Sequence, residues 1–202
     1  LESEDNYGKI TSSRNSGVIH AGIYYDKNSL KSKFCVEGNR LLYDFCSKNK
    51  VPYENTKKIL VASSKDQIKI IDEIKDKAEK NGVKDIEKLS KLQIKKIEPN
   101  IFCEEALLVP SSGIIDAIAY MRSLVGKIED SGGMIAFNSK LDKCKVEKNN
   151  FLIHVSGHEK TLIECNYLIN CAGLLASEVA SKIDVLNKKF IPKTYYAKGN
   201  YF

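Results

Sequence analysis

Ser12-Ser13-Arg14-Asn15-Ser16-Gly17-Val18-Ile19-His20-Ala21-Gly22-Ile23-Tyr24-Tyr25 is the stretch on which the reading turns. Its first half is polar and small. Serine hydroxyls and an arginine fork suit pyrophosphate oxygens, the guanidinium binding them with a fixed geometry. Glycine and other small residues let backbone amides approach a ligand closely. Its second half is a short apolar segment holding two glycines and one histidine. Two accounts are open from these residues alone: a ligand-cradling loop, or an ordinary glycine-containing loop followed by a buried histidine.

The rest of the chain narrows the class. It has 202 residues, 43% of them hydrophobic and 29% charged, enough for a real core in one large domain or two small ones. No uncharged apolar run is long enough to span a bilayer. The formal net charge of +6 comes from 32 basic and 26 acidic residues. It weakly favours an anionic small molecule or an anionic membrane surface. It does not suggest nucleic acid, because no basic stripe interleaved with aromatics exists. Cys35, Cys46, Cys103, Cys144, Cys165 and Cys171 form no C-x-x-C pair, which argues against zinc and against a disulfide scaffold. They read as buried reduced thiols of a cytosolic protein. The start, Leu1-Glu2-Ser3-Glu4-Asp5, has no initiator Met and no signal-peptide pattern.

Local signals place the elements. Asn28 and Ser29 cap a helix to about Lys48, with Leu30, Phe34, Leu41, Leu42 and Phe45 near helical spacing. Lys58–Ala62 is a short strand. Ser64–Gln67 and Ser90–Gln93 are capping boxes. The helix after the first carries Ile68, Ile71, Ile74 and Ala78 on one face and ends at Asn81-Gly82; the second is brief and stops before Pro99. Ala106–Val109 is a strand, and Asp116 caps a helix to about Glu129. Met134–Asn138, Leu141–Val146, Phe151–Ser156 and Thr161–Cys165 read as strands, with turns at Asn149-Asn150 and Gly157-His158. Thr194–Phe202 is β-prone.

Two further segments bear on chemistry. Tyr167-Leu168-Ile169-Asn170-Cys171 reads as a buried parallel strand running through Ala172-Gly173 into a helix, Leu175 to about Ile183. Such a junction presents the carboxyl edge of an α/β sheet to a ligand, and helix N-termini favour anions there. Glu2 is a carboxylate at the start of the chain. His154 and His158 have no partner at metal-ligand spacing, so no metal is expected. There is no G-x-S-x-G elbow and no Walker loop.

Together the motifs resemble a known family. Asn15-Ser16-Gly17-Val18-Ile19-His20-Ala21-Gly22-Ile23-Tyr24-Tyr25 resembles the N-S-G-V-I-H-x-G-I-Y-Y signature of L-2-hydroxyglutarate dehydrogenases and oxidases. These lie within the FAD-dependent D-amino-acid oxidase-like superfamily. Ser29–Lys33 is similar to its S-L-K-A-K segment, Pro110–Asp116 to P-x-T-G-I-V-D, Asn170–Leu174 to N-C-A-G-L, and Lys198–Phe202 to R-G-E-Y-Y. Ser112, Ile115, Lys198, Asn200 and Phe202 depart from the usual Thr, Val, Arg, Glu and Tyr; Asn200 loses a carboxylate and Lys198 a bidentate fork. The G-x-G-x-x-G turn expected about 20 residues upstream of Glu2 is absent, so the chain reads as the middle of a longer enzyme.

The resemblance implies an α/β fold: an FAD-binding dinucleotide fold, its N-terminal βαβ start missing, with an interleaved α+β substrate domain. The FAD-binding part would take residues 1–50 and 111–185, with a mostly parallel sheet and a small β-meander at 134–165. The substrate part would take 51–110 and 186–202. The implied reaction moves a hydride from the α-carbon of a 2-hydroxy acid, L-2-hydroxyglutarate, to the flavin, giving 2-oxoglutarate. His20 is the implied catalytic residue, as the base that takes the hydroxyl proton; its rival reading is a core histidine bonded to backbone. Glu2, Ser13, Arg14, Asn15, Ser16, Gly17, Val18, Leu141, Ala172 and Gly173 are the implied FAD contacts, Glu2 at the ribose. Lys198 is the implied contact for a small dicarboxylate substrate. Oxygen or a quinone would accept the electrons. A cytoplasmic location is expected, with peripheral membrane association as an option. The alternatives are a related flavoenzyme acting on an amino acid or glycerol 3-phosphate, and a truncated non-catalytic remnant or interaction module.

Overall fold

The computed structural model describes residues 1–200. Tyr201 and Phe202, the end of the Lys198–Phe202 motif, lie outside the described residues. Contacts divide the chain into two units, Asn15–Val125 and a second made of Leu1–Arg14 with Gly126–Phe202.

The unit Asn15–Val125 contains β1 (Val18–Ile19), α1 (Leu30–Asn49), β2 (Tyr53–Glu54), β3 (Lys58–Ala62), α2 (Lys65–Lys80), β4 (Glu87–Ser90), α3 (Lys91–Ile97), β5 (Glu105–Val109) and β6 (Gly113–Ile115). α4 (Ala117–Asp130) begins in it. Two antiparallel three-stranded sheets form, in the orders β1-β6-β2 and β3-β5-β4. β5 is the central strand of the second, and its side chains alternate between two cores. Leu107 and Val109 join Ala21, Ile23, Ala62, Ile71 and Ala78 on one face. Ala106 joins Leu89, Ile94 and Cys103 on the other. Ile71 and Ala78 of α2 are buried, with Ile68 and Ile74 packed beside them, as the helical spacing predicts. Each large apolar side chain buried this way contributes about 1.5–3 kcal/mol.

The helix ends follow local chemistry. The Ser29 hydroxyl accepts from the Ser32 amide at 3.1 Å to start α1. Asp116 Oδ1 accepts from Ile118 and Ala119 amides at 3.0 and 2.9 Å to start α4. Ser90 and Gln93 form the expected capping box at α3. Ser64 and Gln67 do not: Gln67 takes the Ser63 amide, at 2.8 Å. The Ser64 hydroxyl instead bonds Asp66 and holds that carboxyl below its usual range.

α1 differs from expectation in its packed face. Ser32 and Cys46 are its buried residues, whereas Leu30, Phe34 and Leu41 are exposed. Leu42 and Phe45 are half-buried, Phe45 meeting Tyr120 edge-on at 5.3 Å. The helical spacing holds, but small residues take the packed side, and Phe34, Leu41, Leu42 and Phe45 line an open cleft.

The other unit is built on an antiparallel meander, β7 (Lys140–Glu147), β8 (Asn150–Ser156) and β9 (Thr161–Cys165), followed by α5 (Ala176–Ser181). Leu141, Cys144, Ile153 and Val155 form its core, with Leu168, Val179 and Ile183 packed against them. A register shift between Leu141 and Lys143 bulges β7.

Two expected strands are irregular. Met134–Asn138 forms no ladder; isolated bonds tie Ala136 O to the Glu2 amide at 2.8 Å and the Asn138 amide to Glu4 O at 2.9 Å. Tyr167–Cys171 is neither paired nor buried: Tyr167 is 87% and Ile169 81% exposed. The mostly parallel sheet is likewise not seen, because every ladder among the described residues is antiparallel, with one isolated parallel bridge at Cys144–Ile183. A parallel strand buried on both faces needs neighbours on both edges, and the described strands supply none at 167–171. The six cysteines are unlinked; Cys46, Cys103 and Cys144 are buried as expected, but Cys171 is exposed because the strand meant to bury it does not form. No helix of the described residues is long and apolar enough to cross a membrane.

Candidate functional site

The loop that leads to His20 is fixed at Gly17. Its φ is +65°, and a Cβ there would lie 2.8 Å from the Ile115 carbonyl oxygen. Glycine is therefore required both for the left-handed turn and for the close approach. Its amide donates to Asn15 Oδ1 at 2.9 Å, and its carbonyl accepts from the Ile115 amide at 2.8 Å. β1 then pairs with β6, Val18 opposite Ile114 and Ile19 opposite Gly113. The alternation of side chains buries Ile19, Ala21 and Ile23 and turns Val18 and His20 outward.

The backbone at His20 is clamped. Its carbonyl accepts from Asn39 Nδ2 at 3.0 Å and from Cys35 Sγ at 3.7 Å. The same Asn39 nitrogen donates to Ser111 O at 2.8 Å, so one helical side chain ties two distant turns. The imidazole itself has no hydrogen-bond partner among the described residues, and His20 is exposed. The rival reading of a core histidine bonded to backbone does not hold. Partial desolvation, and secondarily the Lys58 charge, hold the His20 pKa below the usual histidine value. The ring is thus biased toward its neutral, proton-accepting form.

A cleft of about 490 Å³ opens here, lined by Val18, His20, Phe34, Asn39, Leu42 and Tyr120 among others. Its wall is apolar, with hydrogen-bonding groups at few points, which is the chemistry of a small-molecule surface. Sequence reading missed Asn39, Lys58 and Tyr24. Lys58 Nζ sits 4.8 Å from the centre of the Tyr24 ring. The one local signal for Asn39 was its residue type, since asparagine is a poor choice inside a helix unless its amide is used.

Asn15 and Ser16 are exposed in the same unit as His20. The remaining sequence-derived residues belong to the other unit. Ser13 and Arg14 are exposed on and just after a 3₁₀ turn, Thr11–Ser13, with the Arg14 amide donating to Thr11 O at 3.0 Å. Glu2 Oε1 accepts from the Glu4 amide at 3.0 Å. Leu141 is buried, and its carbonyl accepts from Lys182 Nζ at 3.1 Å. The Ala172 amide donates to Asn170 Oδ1 at 3.2 Å, and Gly173 has φ +55° with open space where a Cβ would be. Lys198 is exposed.

The exposed donors of each unit, Ser13 and Arg14 in one and Ser16 in the other, suit an anion. From Thr11 to Tyr25 there is no carboxylate side chain, while Ser13, Arg14 and Ser16 all face solvent. Hydroxyl, guanidinium and small-residue amides are the groups that receive phosphate oxygens without electrostatic conflict.

The family profile described as "FAD dependent oxidoreductase" matches residues 1–202. Curated relatives named L-2-hydroxyglutarate dehydrogenase match as well. The mitochondrial protein of Arabidopsis thaliana is 32% identical, over 100% of this chain and 48% of its own length. The L-2-hydroxyglutarate dehydrogenase of Indibacter alkaliphilus is 33% identical, over 100% and 49%. The mitochondrial protein of Caenorhabditis elegans is 39% identical, over 90% and 42%. The chain thus spans about half the length of the curated relatives it matches. Among solved structures, the L-alpha-glycerophosphate oxidase of Mycoplasma pneumoniae, with FAD bound, has a TM-score of 0.83 at 23% identity, covering 91% of this chain and 49% of that one. The glycine oxidase of Geobacillus kaustophilus gives 0.76 at 12% identity, covering 90% and 50%. These likenesses show the fold.

Proposed function

We propose, from the premise that this chain belongs to the family of FAD-dependent oxidoreductases, that it is part of an enzyme oxidising L-2-hydroxyglutarate to 2-oxoglutarate. One observation carries the reading. The segment that resembles the L-2-hydroxyglutarate dehydrogenase signature presents a single outward imidazole on a clamped backbone, in a chain matched along its whole length by relatives of that name.

FAD, when bound, supplies the hydride acceptor. The chain's own residues do the rest. His20, its pKa lowered by desolvation and then by the Lys58 charge, accepts the substrate hydroxyl proton at an imidazole nitrogen. An alkoxide is a much better hydride donor than an alcohol, so this proton transfer lowers the barrier. Asn39 keeps the His20 backbone in place while the ring works. Asn15, Ser16, Gly17 and Val18 in one unit, and Glu2, Ser13, Arg14, Leu141, Ala172 and Gly173 in the other, are proposed as cofactor contacts. Residues 1–50 and 111–185 would serve FAD, and 51–110 and 186–202 the substrate, with Lys198 as a cationic contact. Oxygen or a quinone would receive the electrons.

The test is a substrate screen on the full-length protein with FAD bound. Turnover of L-2-hydroxyglutarate, with its D-enantiomer, amino acids and glycerol 3-phosphate inert, is the expected result. Turnover of an amino acid or of glycerol 3-phosphate in its place would replace the substrate assignment. Absence of redox turnover with all of them would support the non-catalytic reading.

A further inference from the structure

Two lysines of the β3-β5-β4 sheet are treated very differently. Lys88 on β4 is braced by Asp72 at 2.7 Å and Glu105 at 2.6 Å. Lys58, the first residue of β3, appears in none of the ion pairs among the described residues. It is nevertheless half-buried, and its one described partner is a ring, Tyr24, at 4.8 Å. Register explains its place. Lys58 pairs with Val109, Leu60 with Leu107, and Ala62 with Glu105. Side-chain period two puts Lys58, Leu60 and Ala62 on the face that carries Leu107 and Val109 and packs against Ala21 and Ile23. At the end of that apolar face the ammonium meets Tyr24, four residues after His20 in the same tethered segment.

A half-buried ammonium without a carboxylate, held on an aromatic face, has part of its hydration removed and no protein anion in exchange. Its charge is felt at the His20 ring, whose protonation it disfavours, and with no carboxylate of its own it is available to an anion. We infer that Lys58 is a substrate-binding residue, pairing its ammonium with a carboxylate of the 2-hydroxy acid, with the Tyr24 ring holding the lysine in position. The inference rests on the proposed function for the identity of the substrate. It adds a second cationic contact to Lys198, and one placed by the same segment as the base.

The experiment uses the full-length, FAD-loaded protein and its K58M and K58R variants. Two readouts are taken: KM and kcat for L-2-hydroxyglutarate, and the Kd of glutarate, a dicarboxylate that cannot be oxidised, from perturbation of the flavin spectrum. Loss of one charge-assisted hydrogen bond predicts a rise of about tenfold or more in both KM and Kd for K58M. FAD content should be unchanged and kcat reduced much less. K58R, which keeps the charge, should recover most of the loss. Glutarate binding by K58M within about twofold of the parent would overturn the assignment, as would an equal loss in K58R. Parent protein that binds glutarate through Lys58 yet does not oxidise L-2-hydroxyglutarate would overturn the reaction while leaving the carboxylate site standing.

Discussion

The segments Asn15–Tyr25 and Tyr167–Leu174 start from similar material: a short apolar run with an asparagine and glycine, each in a motif that resembles one family. They end in opposite conditions. In the first, Ile19, Ala21 and Ile23 are buried, the backbone pairs with β6, and Asn39 and Cys35 hold the His20 carbonyl. In the second, Tyr167 and Ile169 stand in solvent, and Leu168 alone is packed on a core. Asn170 bonds its own neighbourhood, Ala172 and Ala176, at 3.2 and 2.8 Å. An apolar run becomes a strand only where another strand offers its edge; β6 offers one to Val18-Ile19, and the described strands offer none to Tyr167–Cys171.

The contrast can be broken at its glycines. Gly113, opposite Ile19 on β6, has no room at all: a Cβ would run into the Tyr43 hydroxyl and the Glu54 carbonyl. In the full-length apo-protein Gly113→Ala should cost about 3 kcal/mol, the upper range for overpacking. Gly17→Ala should cost about 2 kcal/mol, since a positive φ adds to a contact with the Ile115 carbonyl. Gly173→Ala has a positive φ but open space around it, and should cost only about 1 kcal/mol. Urea unfolding of the three variants gives the order. Gly173→Ala as the most damaging would show that the 167–174 region is as tightly built as the 17–25 region.

How far the sequence was legible follows the same division. Caps and faces set by neighbours within a few residues were readable: Ser29, Ser90 and Asp116 as caps, Ile71 and Ala78 as the core side of α2, and the meander from Lys140 to Cys165. Features set by distant partners were not. Asn39 reaches Ser111 across 72 residues, and nothing local announces it. Lys58 reads as one surface lysine among many until the register of β3 brings it to Tyr24. The exposure of Leu30, Phe34 and Leu41 could not be read either, because helical spacing says which residues share a face and not what covers it. His20 was found by motif; its outward turn and its free imidazole came from the structure.

A smaller effect sharpens the same contrast through pH. If His20 is the base, the acid limb of kcat/KM for L-2-hydroxyglutarate lies below the ordinary histidine value, because partial desolvation and then the Lys58 charge both disfavour imidazolium. In K58M the limb should move up, since a positive neighbour is gone. It should stay below the ordinary value, since desolvation, the larger cause, remains. A limb that does not move would separate Lys58 from the base.

We propose as the central claim that this polypeptide wraps a flavin nucleotide, with the segment from Asn15 to Gly22 among its contacts. The absorbance spectrum of the purified full-length protein tests it most directly. A yellow protein carrying one FAD per chain, bleached when L-2-hydroxyglutarate is added without oxygen, is the predicted result. A colourless protein that takes up no added FAD would contradict the account.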